Sequence, residues 1–195
     1  ILLIYANEPF TLLMPIGISS IAAKLKQEGF DVKVFDTTYY RTDQKTGNLY
    51  RESSLQVSKV DYSEVGIKER EGEDLFKDFI ETVMEDKPNL IGLSSTEVSH
   101  DLGIILLNLV ADRDIVTMVG GVHTTFNPDE VISEECVDII CTGEGELAIA
   151  ELCKRMADGN DYLDIPNIWV KSNGRIYKNG YGRLEDLTKL PPPDF

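Results

Sequence analysis

Positions 1–6 form an almost wholly apolar run, too short for a stable helix and too uniform for a strand with one wet face. It predicts a strand buried on both sides. The period then changes. After a loop over 7–14, Pro15 stands where a helix can begin, and Ile18, Ile21, Ala22 and Leu25 recur at helical spacing before Gly29. Val32, Val34 and Phe35 mark a second strand over 31–36. Further along, Leu75, Phe76, Phe79, Ile80 and Val83 make a helical stripe over 73–86, stopped by Pro88-Asn89. A strand over 90–93 follows, then a helix over 98–111, a strand over 115–119 and a short helix after Pro128. A strand over 137–141 and a helix over 147–157 complete the alternation. Apolar pairs near 168–170 and 176–177 flank Ser172-Asn173-Gly174, which signals a hairpin.

Five strands separated by helices predict an α/β fold. The expected form is a flavodoxin-like doubly wound five-stranded parallel sheet, order 2-1-3-4-5, with a C-terminal β-hairpin extension. Positions 37–72 break the pattern. They are polar, charged and weakly periodic, and are expected to form a long variable excursion with one short helix, of the kind that serves a partner, a lid or a site. The expected organisation is a Rossmann-like unit over 1–160 and a hairpin with linker over 161–195. The chain opens at Ile1 without a Met and ends in Leu190-Pro191-Pro192-Pro193-Asp194-Phe195. Both ends read as cuts from a longer protein.

A length of 195 residues with 42% hydrophobic content supports one ordinary core. The excess of 34 acidic over 19 basic side chains gives a net charge of −15, which repels phosphate backbones and argues against a nucleic-acid partner. The apolar runs are strand-sized, so no membrane span is expected, and no signal peptide is legible; a cytoplasmic protein follows. The spacing of Cys136, Cys141 and Cys153 fits no zinc or iron–sulfur pattern, leaving reduced, buried thiols and no metal ligands.

In a parallel sheet, ligands bind beyond the carboxyl ends of the strands. That directs attention to the loops at 7–14, 94–99, 120–127 and 142–146. Gly120-Gly121 permits close backbone approach, Ser94, Ser95 and Thr96 offer hydroxyls, and Gly143 and Gly145 bracket Glu144. Each has a plain alternative: turn glycines, helix caps, and glutamates (Glu144, Glu146) favoured by a helix dipole. No G-x-G-x-x-G follows the first strand and no G-x-x-x-x-G-K-[ST] occurs, so phosphate-cradling readings fail. A neutral, amide-rich ligand suits these loops better than a nucleotide.

Several motifs then make the chain resemble a known family. They are Pro15-Ile16-Gly17-Ile18 with Ala22-Ala23, Gly92-Leu93-Ser94-Ser95, Gly120-Gly121-Val122-His123-Thr124-Thr125, Asp138-Ile139-Ile140 and Gly143-Glu144-Gly145-Glu146. Ile165-Pro166-Asn167, Gly174-Arg175-Ile176 and the terminal Leu190-Pro191-x-Pro193-Asp194 extend the match. The chain resembles the N-terminal cobalamin-binding domain of class B radical S-adenosylmethionine (SAM) enzymes, of the methyltransferase and anaerobic Mg-protoporphyrin IX monomethyl ester cyclase types. The resemblance implies that the cofactor's nucleotide tail threads into the carboxyl edge of the sheet and the corrin lies over the loops. It implies a cofactor site at Pro15, Gly17, Ser94, Ser95, Thr96, Gly120, Gly121, His123, Thr124, Gly143, Glu144, Gly145 and Glu146. SAM and a 4Fe-4S cluster would belong to a missing C-terminal radical SAM domain, the partner within the same chain, because C-x-x-x-C-x-x-C is absent. The fragment alone would then have no catalytic residues.

The D-x-H-x-x-G of many cobalamin domains is absent after the first strand. His100-Asp101-Leu102-Gly103 matches only H-x-x-G, follows the third strand and has Val98 in place of the aspartate, so it reads as coincidence. The resemblance therefore implies a lower cobalt face that is water-bound or empty. His123 is open between bridging loop carbonyls and touching the corrin. Two other readings stand beside this one. The fold could be a cofactor-free docking or dimerisation module using 37–72 as its surface, or a receiver or flavodoxin-like domain. For the latter, Ser94-Ser95 and Asn7-Glu8-Pro9-Phe10 lack the required aspartates and phosphate loop.

Overall fold

A computed structural model describes residues 1–11, 14–41, 51, 53–56, 58, 62–66, 68–184 and 186–194. The elements run β1 (Leu2–Tyr5), α1 (Ile16–Gln27), β2 (Lys33–Asp36), β3 (Tyr40–Arg41), β4 (Arg70–Glu71), α2 (Gly72–Asp86), β5 (Leu90–Ser94) and α3 (His100–Asn108). They continue with β6 (Val116–Gly120), α4 (Val122–Phe126), α5 (Pro128–Ser133), β7 (Ile139–Cys141), α6 (Glu146–Asp158), β8 (Ile168–Ser172) and β9 (Arg175–Lys178). Of the short helix expected within 37–72, the described residues show helical backbone at Arg51 and Ser53 and a 3-10 turn at Tyr62–Val65; much of the rest of that stretch lies outside the described residues.

Among the described residues the main sheet has seven strands, in the order β2-β1-β5-β6-β7-β8-β9. The first five are parallel; β8 pairs antiparallel with β7, through Cys141 opposite Ile168, and β9 antiparallel with β8. The expectation of a five-stranded, wholly parallel sheet is thereby corrected. The hairpin is a continuation of the sheet, because it covers the open backbone edge of β7. A two-stranded pairing of β3 with β4 was also not foreseen.

Period-two alternation splits the core in two. Leu2, Ile4, Ile91, Leu93, Val119 and Ile140 meet Leu75, Phe79 and Val83 of α2, Leu106 of α3 and Val131 of α5. Leu3, Leu90, Met118, Ile139 and Cys141 face the other way, against Ile18, Ala22 and Leu25 of α1 and Ile149, Leu152 and Cys153 of α6. Burial on both faces is why these strands read as continuous apolar runs. Helix α2 presents Leu75, Phe79 and Val83 at four-residue spacing and ends on Lys87, left-handed at φ 46, whose N–H donates to the Val83 carbonyl, just before Pro88.

The loop after β1 is tied down by Asn7. Its backbone N–H donates to Thr37 Oγ1 at 2.8 Å, and its side-chain amide donates to Thr38 Oγ1 at 2.9 Å. Arg41 of β3 pairs with Glu69 and lies over the Phe10 ring at 5.3 Å. No helix among the described residues is long and apolar enough to cross a membrane.

Candidate functional site

The layer formed by α1 and α6 does not close fully on the sheet. Side chains at 90, 92 and 94 of β5 point to that layer, and position 92 is glycine. β6 ends in Gly120, the first turn of α1 carries Gly17, and Gly145 opens α6. Four side chains are missing around one space. The result is a slot of about 220 Å³, walled by Leu3, Ile18, Ile21, Met118 and Ile149 and open towards Ser94, Gly121, Gly143 and Glu144. It extends from Leu90 to Ser94, about 13 Å at strand rise. A dry apolar cavity of ~150 Å³ admits benzene, so this one has room for a larger planar group. A methyl added at Gly17 would meet nothing within 4 Å. One at Gly145 would meet Ile149 Cδ1 at 3.2 Å and Ile21 Cδ1 at 3.3 Å, both belonging to slot walls.

The rim is a fastened set of loops. The Ser95 N–H donates to the Gly120 carbonyl at 3.0 Å. Gly121 follows at φ 105, and a Cβ there would stand 2.4 Å from the Ser95 carbonyl oxygen, so only glycine fits. The Thr125 hydroxyl donates to the Gly121 carbonyl at 3.0 Å and accepts from the Gly143 N–H at 3.0 Å, joining the β6 and β7 loops through one oxygen. Asn167, left-handed at φ 68, secures the far side. Its amide donates to the Glu144 carbonyl at 2.9 Å, and its backbone carbonyl accepts from the Thr142 N–H at 2.8 Å.

Eight of the thirteen residues singled out from sequence line the slot: Gly17, Ser94, Gly120, Gly121, Gly143, Glu144, Gly145 and Glu146. The other five lie beside it. Pro15 precedes α1 and its carbonyl accepts from Ser19 N–H. Ser95 is buried as the cross-link just described. Thr96 takes part in a turn in which the Ser99 hydroxyl accepts from its N–H at 3.1 Å. Thr124 is wholly buried, its hydroxyl without a partner. His123 turns its ring onto His100, centroids 4.2 Å apart, and leaves Nε2 unpartnered, as His100 leaves Nδ1. Burial and the neighbouring His123 lower the His100 pKa. The glycine of the His100-x-x-Gly103 coincidence has a packing reason: a Cβ there would strike Leu93 Cδ2 at 2.4 Å.

The sequence does not place the apolar walls, Gly92, Thr125 or Asn167 in the site, although the last three stand in motifs that carry the resemblance. The walls look like ordinary core residues. Gly92 inside a strand was a usable signal of close approach. Cys141 is part of the wall, and burial, then Glu146 and Glu144, push its thiol up to about 12. It is a neutral lining group, not a thiolate ligand. Among the described residues no cluster of three or more His, Cys, Asp or Glu side chains could hold a metal ion.

A mostly parallel sheet with an apolar-walled slot at its carboxyl edge defines an α/β ligand-binding architecture. Residues 48–153, more than half the chain, match the family model of the B12 binding domain, and the chain belongs to that family. Cytidylyl-2-hydroxyethylphosphonate methyltransferase of Streptomyces wedmorensis is 25% identical over 180 residues, which is 91% of this chain and 30% of that protein. An uncharacterised methyltransferase of Pyrococcus horikoshii is 27% identical over 131 residues, 63% of this chain and 28% of that one. Among solved structures, the cobalamin-dependent S-adenosylmethionine radical enzyme OxsB with aqua-cobalamin bound aligns at TM-score 0.68 and 18% identity, over 99% of this chain and 23% of its own. The radical S-adenosylmethionine methyltransferase TsrM of Kitasatospora setae, with cobalamin and a [4Fe-4S] cluster bound, aligns at 0.64 and 17%, over 98% and 30%. These likenesses show the shared fold. The chain spans less than a third of each of these proteins.

Proposed function

We propose that this chain is the cobalamin-carrying part of a larger radical SAM enzyme that methylates or cyclises its substrate. The observation that carries the reading is the slot: four glycines on β5, β6 and α1 and at the start of α6 open one apolar-walled space at the carboxyl edge of the sheet. Its fit to the cofactor is chemical. Apolar walls suit the aromatic base of the nucleotide tail, and backbone groups and hydroxyls at Ser94, Gly120, Gly121 and Gly143 suit the ring's carboxamides. Glu144 and Glu146 would take up donor groups there, and Gly17 and Gly145 would flank the tail. When bound, cobalamin supplies a carrier for a one-carbon group. The chain's own residues bind it, exclude water from the slot and hold the rim rigid through Thr125 and Asn167. No residue of the chain is assigned a catalytic role. SAM, a 4Fe-4S cluster and the substrate would be handled by a radical SAM domain in the rest of the protein. The methyltransferase names of the two relatives favour methyl transfer over cyclisation.

Titration with hydroxocobalamin tests the reading. The wild-type chain should shift the cobalamin spectrum and co-elute with it. Gly17→Leu, whose Cβ would meet nothing within 4 Å, should keep the fold and weaken uptake about tenfold or more. Uptake by Gly17→Leu equal to wild type would remove the slot from the site. No uptake by wild type would favour the cofactor-free docking module.

A further inference from the structure

We infer that Tyr181, on the irregular segment after the hairpin, is a cofactor-contacting residue at the slot mouth, and that Asn167 positions it. This rests on the cobalamin reading above. Tyr181 lies outside the stretch matched to the B12 binding domain, and the resemblance read from the sequence did not include it.

The segment is held from both sides by one residue. The Asn167 N–H donates to the Gly180 carbonyl at 3.0 Å, and Asn167 Oδ1 accepts from the Gly182 N–H at 2.7 Å. The same side chain reaches the slot loop through its amide bond to the Glu144 carbonyl at 2.9 Å. Tyr181 sits between the two anchored glycines. Its Cδ1 and Cε1 lie 3.4 Å from where a Gly143 Cβ would stand, so the ring rests on the bare backbone of a slot-lining residue. Yet 70% of Tyr181 remains exposed.

A large aromatic ring on a fixed backbone, pressed to a binding loop and still mostly wet, is suited to a further flat or apolar partner. It would lose its exposure when a macrocycle covers the mouth. Its backbone order is already supplied by Asn167, so little further entropy is lost on contact. Asn167 occupies the left-handed region that asparagine tolerates, which lets one side chain serve the loop and the segment together.

Hydroxocobalamin binding to the whole chain, followed by absorbance and equilibrium dialysis, tests this with three variants. Tyr181→Ala should weaken binding about tenfold while leaving the cobalamin-free Tm unchanged, since the ring is mostly exposed. Tyr181→Phe should bind like wild type, because the ring and not the hydroxyl makes the contact. Asn167→Gly keeps the left-handed backbone and loses both side-chain bonds. It should weaken binding by a similar factor, and the double variant should add little to either single change. Wild-type uptake matched by Tyr181→Ala would overturn the inference and leave the slot reading standing. Additive losses in the double variant would overturn the positioning role of Asn167. A wild-type chain that takes up no cobalamin would overturn both this inference and the reading beneath it.

Discussion

The two faces of the sheet are built from the same alternating strands and are packed to opposite ends. On the α2/α3 side, Phe79 is wholly buried and a methyl at Gly103 would collide with Leu93 at 2.4 and 2.6 Å. On the α1/α6 side, a methyl at Gly17 meets nothing and a slot of about 220 Å³ remains. Glycine occurs on both faces for contrary reasons. Gly103 lets a helix press onto a strand, whereas Gly17 keeps the helix layer from filling the space over the sheet. One face holds the domain together, and the other holds room for a ligand.

That contrast can be broken by measurement. The largest effect is expected from Phe79→Ala, which should cost about 3–5 kcal/mol, read as a lower denaturation midpoint at unchanged slope. A loss under ~1 kcal/mol would mean that the α2 side is no better filled than the other. Next comes Gly103→Ala, which forces Leu93 to move and should cost about 1–3 kcal/mol. Gly17→Leu adds more atoms, yet should change stability by no more than ~1 kcal/mol. Equal losses for these two would erase the distinction between the faces.

The smallest effect is pH dependence, and it belongs to α3. His100 has its pKa lowered below the ordinary 6.5 by burial and by His123. The unfolded chain therefore takes up a proton before the folded one does. Stability should be level above that ordinary value and fall as pH drops from 6.5 towards the lowered one, by at most ~1.4 kcal/mol per pH unit. Denaturant melts between about pH 5 and 8 should show the slope in wild type and a shallower one in His100→Gln. An identical slope in both would show that burial of His100 carries no proton linkage.

Much of the scaffold was legible because both-face burial leaves a plain mark: short apolar runs closed by Gly, Pro or Asn. Ser172-Asn173-Gly174 likewise marked the hairpin turn. What the hairpin would pair with was not legible, since antiparallel addition to β7 depends on where an open edge lies in space. The helix at Val122–Phe126 was read as loop because five residues give too little periodicity to register. For the site, glycines and hydroxyls at loop starts pointed to the carboxyl edge. The slot behind that edge is walled by Leu3, Ile21, Met118 and Ile149, whose side chains look the same in sequence whether they meet a neighbour or an opening. Asn167 stands in a motif of the resemblance, yet its role at the site is not legible there. That role comes from joining the loop at Glu144 to the segment at Gly182, which local spacing does not record.

The ends of the sheet carry a last consequence. β2 and β9 are its outermost strands, and each displays cations: Lys33 on one, Arg175 and Lys178 on the other. In a protein of net charge −15 these are scarce side chains placed where unpaired backbone would otherwise recruit another molecule. Lys33 is held by Asp86 and Lys178 by Asp129, so both borders carry anchored ion pairs beside their open backbone. Charged side chains fixed along both borders work against stacking end to end into longer ribbons.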